Sequence, residues 1–377
     1  MQPGTREAAR DALAREFGAS DWRRLTQAVQ VADAIWEDDL DALLALLAET
    51  PSLLHESVLI APTSSWGPPM SYAANLGRDR MVRTLHDRGA RDHEYAAGRA
   101  ALQGQVETAR LVYELAGRPP LPPDALGGPA YTLSAAGTAL LLTLGARVID
   151  GQGARLAPVD VVLETDSRKP SEKHAILALY EAHGLRFPDT PVMALHRGRL
   201  DLLATHLERD PQLLHRTFTH REIYPAEMGC GDPLDATVGT PLAGSTLLHL
   251  CVDYDELDIA RWLLDRGADP NARSVVGRSG FGGHTPLFNT VVSQPNFWMN
   301  HRGRGPFEAP FTALLLERGA DPNVRASLWK RLHPGHGDPA RHDYRDVTPL
   351  SWGRRFHAPI FVSEPAMRLI EAAGGVE

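Results

Sequence analysis

Apolar positions in this chain recur in paired bursts at helical spacing, with polar turns between them. Residues 244–271 show the pattern whole. A turn at Gly244-Ser245-Thr246 leads into a short apolar helix over 247–252, and a tight polar loop follows. A second helix then places Ala260, Leu263 and Leu264 at i, i+3 and i+4, on one face. Gly267 suits the left-handed conformation that ends a helix, and Pro270 cannot continue one. The ending Gly267-Ala268-Asp269-Pro270-Asn271 recurs at Gly319-Ala320-Asp321-Pro322-Asn323, with shorter forms at Gly89-Ala90 and Gly145-Ala146. The opening turn recurs as Thr285-Pro286-Leu287 and Thr348-Pro349-Leu350. A helix pair of this size cannot bury its apolar face alone. The pairs must therefore stack, and function in a stack lies on a surface.

The units are uneven. The first covers 34–47 with Asp38-Asp39 in its turn, the second 68–90, the third 100–115, and a degenerate fourth 129–146. The fifth spans 157–184 around a Ser167-Arg168-Lys169-Pro170 loop, and the sixth 191–207 around His196-Arg197-Gly198. The complete copy is the seventh, the eighth ends at Asn323 and the ninth opens at Thr348. Roughly nine units exceed the about three needed for a continuous core. Ahead of them, 6–17 and 21–29 read as two helices with Ser20 as a cap. Phe17, Trp22 and Leu25 are expected to cover the exposed edge of the first unit. A last helix at 364–373 is expected to cover the other end. The expected divisions are a helical cap over 1–30, regular repeats over 31–215, and repeats with long inserted loops over 216–377.

The Thr-Pro-Leu openings and the Leu-Leu-x-x-Gly-Ala-Asp endings resemble the ankyrin repeat, and the run 14–22 resembles a leader found before bacterial ankyrin arrays. The resemblance implies an all-α ankyrin-repeat solenoid of helix-turn-helix units. It also implies a non-enzymatic scaffold that binds a protein or peptide through its concave face, with the turns between units projecting as fingers. No cofactor is implied.

Bulk properties narrow the partners. A chain of 377 residues would otherwise suggest two or three globular domains. The net charge of -8 and a pI near 6.1 speak against nucleic acid, which selects a basic face. No apolar run approaches the length of a membrane span, and no apolar signal region opens the chain, so a cytoplasmic protein is expected. The two cysteines make no disulfide framework: Cys251 reads as packing and Cys230 as tolerated. The Ala, Leu, Arg and Pro bias fits a bacterial source.

The departures from the repeat carry the functional signal, and the large ones follow residue 215. They cover 216–243, 293–306 and 326–345, with a smaller glycine-rich one at 275–283. Gly198 and its counterpart Asp255 lie 57 residues apart, against about 33 for one repeat. Loops this long are functional or disordered, and these hold Trp, Phe, His and Arg, the residues of binding hot spots. They are expected to converge over the concave face of units six to nine. Trp298, His301, Arg304, Trp329, Arg331 and Arg345 are the expected binding residues, with His284 beside them and Trp352 and His357 as floor. Arg302, Arg304, Arg331 and Arg345 would make the patch locally basic, which suits an acidic peptide and admits an anionic small ligand.

Chemistry is weaker. His333, His336 and His342 with Asp338 and Asp343 are ligand types for zinc, but Pro334, Gly335 and Gly337 mark a loop, and an ordered polar loop without metal is expected. The ankyrin resemblance gives His249 the role of bonding the turn between units. Asp253 and Asp255 are an acid/base pair by type, yet a solvated turn is the expected reading. Gly277, Gly280, Gly282 and Gly283 lack the context of a phosphate loop, and no serine or cysteine nucleophile motif occurs, so no catalytic residue is assigned. Trp262 is expected in the core. The alternative function is a small-molecule or metal pocket, with or without catalysis, formed by the C-terminal insertions.

Overall fold

The computed structural model describes residues 3–58, 66–165, 167–231, 239–292, 308–332 and 338–377. The chain divides into two compact units, Met1–Arg147 and Val148–Glu377. In the first, α1 (Pro3–Glu16) precedes paired helices: α2 (Trp22–Trp36) with α3 (Leu40–Glu49), α4 (Pro69–Asn75) with α5 (Asp79–Asp87), α6 (His93–Leu102) with α7 (Val106–Leu115), and α8 (Gly127–Thr132) with α9 (Ala135–Thr143). The first members α2, α4, α6 and α8 pack in series as an inner row, and α5, α7 and α9 as an outer row. Small residues permit this close approach: Ala73, Ala74, Ala96, Ala100 and Ala101 are all fully buried. At Gly137 an added Cβ would lie 2.0 Å from the Ala101 carbonyl oxygen, so only hydrogen fits where α9 meets α6. Each pair turns through a residue in the left-handed region: Asp38 (φ 61°), Gly77 (72°), Gly104 (74°) and Leu133 (51°).

The N-terminal expectation needs correction. Asp21, not Ser20, caps α2 by accepting from the Arg24 amide, and the Ser20 hydroxyl donates to Asp21. The helix expected over 21–29 continues to Trp36 and becomes the inner helix of the first pair. Phe17 is half exposed, because α1 stops at Glu16 and the turn through Gly18 buries Ala14 and Ala19 instead.

In the second unit, α10 (Val159–Glu164) pairs with α11 (Pro170–Ala182), and α12 (Pro191–His196) with α13 (Leu200–Arg209). A short α14 (His220–Ile223) lies in the first insertion. The pairs continue as α15 (Leu247–Asp253) with α16 (Leu257–Leu264), α17 (Pro286–Val291) with α18 (Pro310–Glu317), and α19 (Pro349–Arg355) with α20 (Glu364–Ala372). Inner helices α12, α15, α17 and α19 touch in series, as do outer helices α16, α18 and α20. The recurring Asp-Pro-Asn endings are the lateral ties. Asn271 donates to the Gly319 carbonyl and accepts from the Asp321 amide, and Asn323 repeats this with Gly374 and Val376. Each asparagine thereby satisfies backbone groups of the next ending that the helix itself leaves unpaired.

Strands β1 (Thr217–Phe218) and β2 (Ser245–Thr246) pair antiparallel at the base of one finger. The third insertion, expected as a polar loop, contains an antiparallel hairpin of β3 (Ala326–Lys330) and β4 (His342–Val347). Ala326, Leu328, Tyr344 and Val347 are buried, while Trp329, Asp343 and Arg345 are half-exposed or exposed. That period of two is a strand signal inside a region otherwise patterned for helices. Trp262 is half-exposed rather than core, with the Arg266 guanidinium stacked 3.8 Å from its ring centre.

Candidate functional site

The turns between helices in the second unit hold a buried polar network. Pro170 starts α11, so the preceding Ser167-Arg168-Lys169 segment stands free of helix and directs Arg168 inward. Its guanidinium meets Asp253 Oδ2 at 2.8 Å, donates to the Asp253 carbonyl, and lies over the Tyr254 ring. Burial opposes this charge, and the Asp253 carboxylate together with Tyr254 and Tyr224 more than offsets it, leaving Arg168 above its ordinary pKa. Glu256 lies 2.9 Å from Lys173 Nζ and 2.8 Å from His174 Nε2. Burial opposes ionisation of Glu256, but Lys173 and His174 hold it below the usual carboxylate range. Asp253 is thus buried and paired, against the expected solvated turn; Asp255 next to it is exposed and left-handed at φ 62°.

The described ends of the first insertion lie across these turns. The Ile223 carbonyl accepts from His196 Nε2, and Tyr254 donates to Tyr224 at 2.6 Å. Cys230 reaches Glu164 at the end of α10, where burial followed by Asp160 raises the glutamate pKa. Burial and the same glutamate push the Cys230 thiol up to about 12, which makes it a poor nucleophile. Farther on, Thr240 donates to the Phe288 and Val292 carbonyls and accepts from the Trp352 indole at 3.2 Å. Residues of this insertion therefore touch α12, α15, α17 and α19 near the C-terminal ends of the inner helices.

On the finger side, neutral histidines tie successive turns. His249 accepts from the Thr246 amide through Nδ1 and donates through Nε2 to the His284 carbonyl. This is the bonding role expected of it. His284 donates through Nε2 to Pro241 and accepts from Ser274 through Nδ1, so both its nitrogens are engaged. Burial lowers His196 and His249 to about 3 and His284 to about 4, so all three are neutral. Between the fingers, Gly282 and Ser327 exchange backbone hydrogen bonds, which brings the glycine-rich 275–283 segment against β3.

That junction builds an arginine-aromatic layer. Phe281 is buried, with Arg341 and Arg345 over its ring at 5.1 and 4.4 Å. Arg341 also lies 4.6 Å from the Trp329 ring centre. Asp343 sits opposite Trp329 and accepts from Arg341 Nε at 2.8 Å, while Arg345 is 3.7 Å away. On the hairpin's other face, Tyr344 contacts Trp352 edge-on and lies 2.5 Å from His357 Nδ1. The His357 ring stacks on His342 at 4.0 Å, and His342 reaches Asp338 at 2.9 Å.

Of the expected binding residues, Trp329 and Arg345 lie in this layer and Arg331 is exposed at its margin. His284 and Trp352 are buried beneath the fingers. Trp298, His301 and Arg304 lie outside the described residues, as do His333 and His336. Phe281 and Arg341 were missed. The alternation Arg341-Asp343-Arg345 was a readable strand signal, but the partner for Phe281 lies across two fingers and has no local trace. Among the described residues, no three His, Cys, Asp or Glu side chains come together as metal ligands. No helix among them is long and apolar enough to cross a membrane.

Residues 243–275 match the family model of the ankyrin repeat. A search of curated proteins finds no match. Similar solved structures include the human ASB11 ankyrin repeat domain, at 14% identity over 82% of this chain and 99% of that one, with a TM-score of 0.27. Another is the ankyrin repeat domain of Bcl-3, a unique member of the IkappaB protein family, at 15% identity over 91% and 97%, with a TM-score of 0.22. At these TM-scores the superpositions carry no argument. The repeat assignment stands on the match over 243–275 and on the helix pairs themselves.

Proposed function

We propose that this ankyrin-repeat chain is a non-enzymatic scaffold that recognises a protein or peptide through the inner-helix face and inserted loops of residues 216–377. The observation that supports this reading is the outer face of the β3–β4 hairpin, where exposed Arg341 and Arg345 lie over Phe281 and Arg341 also lies over half-exposed Trp329. Trp and Arg dominate binding hot spots because each combines a large apolar or stacking surface with directed donors. The buried charges of the same unit are engaged in holding the turns together. His284 and Trp352 serve the site from beneath by fixing the finger and the hairpin. Trp298, His301 and Arg304 belong to the proposed set on their residue types, and a cytoplasmic setting is part of the proposal.

The test is capture of a partner from native lysate by the intact chain. Trp329→Ala and Arg331→Ala are each expected to weaken capture roughly thirtyfold, about 2 kcal/mol, with unchanged circular dichroism and melting. Tyr95→Ala and Tyr131→Ala, on exposed aromatics of the first unit, are expected to leave it unchanged. The reverse pattern would move the site to the first unit.

A further inference from the structure

We infer that the outer face of the β3–β4 hairpin receives a carboxylate-rich segment of a partner protein, and that Asp343 occupies the place of one incoming carboxylate in the free chain. The inference rests on the binding reading above and names the chemistry of the partner.

Charge distribution is the first observation. The whole chain carries -8, yet residues 273–285 and 325–347 hold seven Lys and Arg against three Asp and no Glu. These two stretches are joined through Gly282 and Ser327. An acidic partner is repelled by the chain at large and attracted here, which selects both its site and its orientation.

Geometry is the second. Arg341 and Arg345 lie over Phe281, and Arg341 also over Trp329. Stacking on a ring engages a guanidinium through its face and leaves its in-plane N–H groups for acceptors. A carboxylate is the acceptor whose two oxygens match that fork. Asp343 already behaves as such a ligand, bonded to Arg341 Nε at 2.8 Å and 3.7 Å short of Arg345. One carboxylate thus serves two guanidiniums, and Arg345, the more exposed of the pair at 62%, has this 3.7 Å contact as its one acidic partner among the described residues. A second carboxylate arriving at Arg345 completes the pairing. An incoming side chain also competes with Asp343 for Arg341.

The test uses the full chain and a fluorescein-labelled oligoglutamate peptide, read by anisotropy at low and high salt. Binding that weakens with salt is expected. Arg345→Glu is expected to weaken it about tenfold or more. Asp343→Asn, which keeps the strand and removes the resident carboxylate, is expected to tighten it about threefold, the scale of an exposed ion pair. Both positions are exposed, and unchanged melting of each variant confirms that the fold is intact. A tighter complex with an oligonucleotide than with oligoglutamate, or oligoglutamate binding indifferent to both substitutions, overturns the inference. If oligoglutamate does not bind while Trp329→Ala still weakens lysate capture, the partner chemistry is wrong and the surface reading survives.

Discussion

The two compact units use one helix-pair plan, and the second adds buried ion pairs and histidine ties to it, where the first has side-chain bonds such as Ser71–Asp92 and Arg99–Asn75. In the first, the inner row packs through alanine and glycine, so helices approach until only Cβ or hydrogen separates them. In the second, buried charges and neutral histidines join one turn to the next. Small-residue packing needs no partner beyond shape. Polar ties fix relative position through directed bonds, and each fails expensively if half of it is lost. The unit with the buried Arg168–Asp253 and Lys173–Glu256 pairs is also the one that carries the insertions. Side-chain bonds also join the described ends of the first insertion to several inner helices.

The sharpest way to break this comparison is at Arg168 and Asp253. Asp253→Asn leaves a buried guanidinium uncompensated and is expected to cost about 3–5 kcal/mol in urea unfolding. The double variant Arg168→Met with Asp253→Leu removes both charges and is expected to recover most of that loss. By contrast, Arg23→Ala in the first unit breaks the exposed Arg23–Glu49 pair and is expected to cost less than about 1 kcal/mol. Equal losses at Asp253 and Arg23 would erase the distinction between the units.

The next effect is pH dependence. His196, His249 and His284 have folded pKa values of about 3, 3 and 4, below the ordinary 6.5. The unfolded chain therefore binds more protons than the folded one between pH 6.5 and 4. The stability these groups contribute is present above 6.5 and is lost as pH falls toward the folded values. Within that window each imidazole is expected to cost about 1.4 kcal/mol per pH unit. Amide exchange on the full chain at pH 7 and pH 5 reads this segment by segment, with protection falling first around α12, α15 and α17. Replacing His249 by Gln, which retains a donor, should flatten the slope by about one proton.

Much of this fold was legible because its constraints are local. The left-handed turns show as Gly77, Gly104 and Gly198, and the lateral ties as Asp-Pro-Asn endings, each a few residues long. The ankyrin resemblance likewise gave His249 its role. The losses came where a residue's role depends on sequence-distant neighbours. Asp253 reads as a solvated turn until Arg168, 85 residues away, is placed beside it. Phe281 carries no signal until Arg341 and Arg345 meet its ring. Of the candidate surface, Trp329, Arg331 and Arg345 are named by residue type within the insertions alone. Their common platform depends on a hairpin whose alternation was overshadowed by helical periodicity on both sides.

The smallest expected effect asks whether the helix-pair turn is one device in both units. Asp38 and Asp255 are exposed and sit at equivalent turns with φ 61° and 62°, where Gly77, Gly104 and Gly198 stand in other copies. Aspartate tolerates this conformation better than most residues with a Cβ, but glycine adopts it without steric cost. Against that relief stands the greater chain entropy glycine gives the unfolded state. Asp38→Gly and Asp255→Gly are therefore each expected to stabilise by about 0.5 kcal/mol or less. Repeated thermal melts of the two variants beside the parent chain measure the difference. Similar small gains would mean that the turn is steric and shared. A gain at Asp38 with a loss at Asp255 would mean that the second carboxylate also balances the Arg168 and Lys173 charges nearby. The turn of the second unit would then be part of its electrostatic network as well as its backbone geometry.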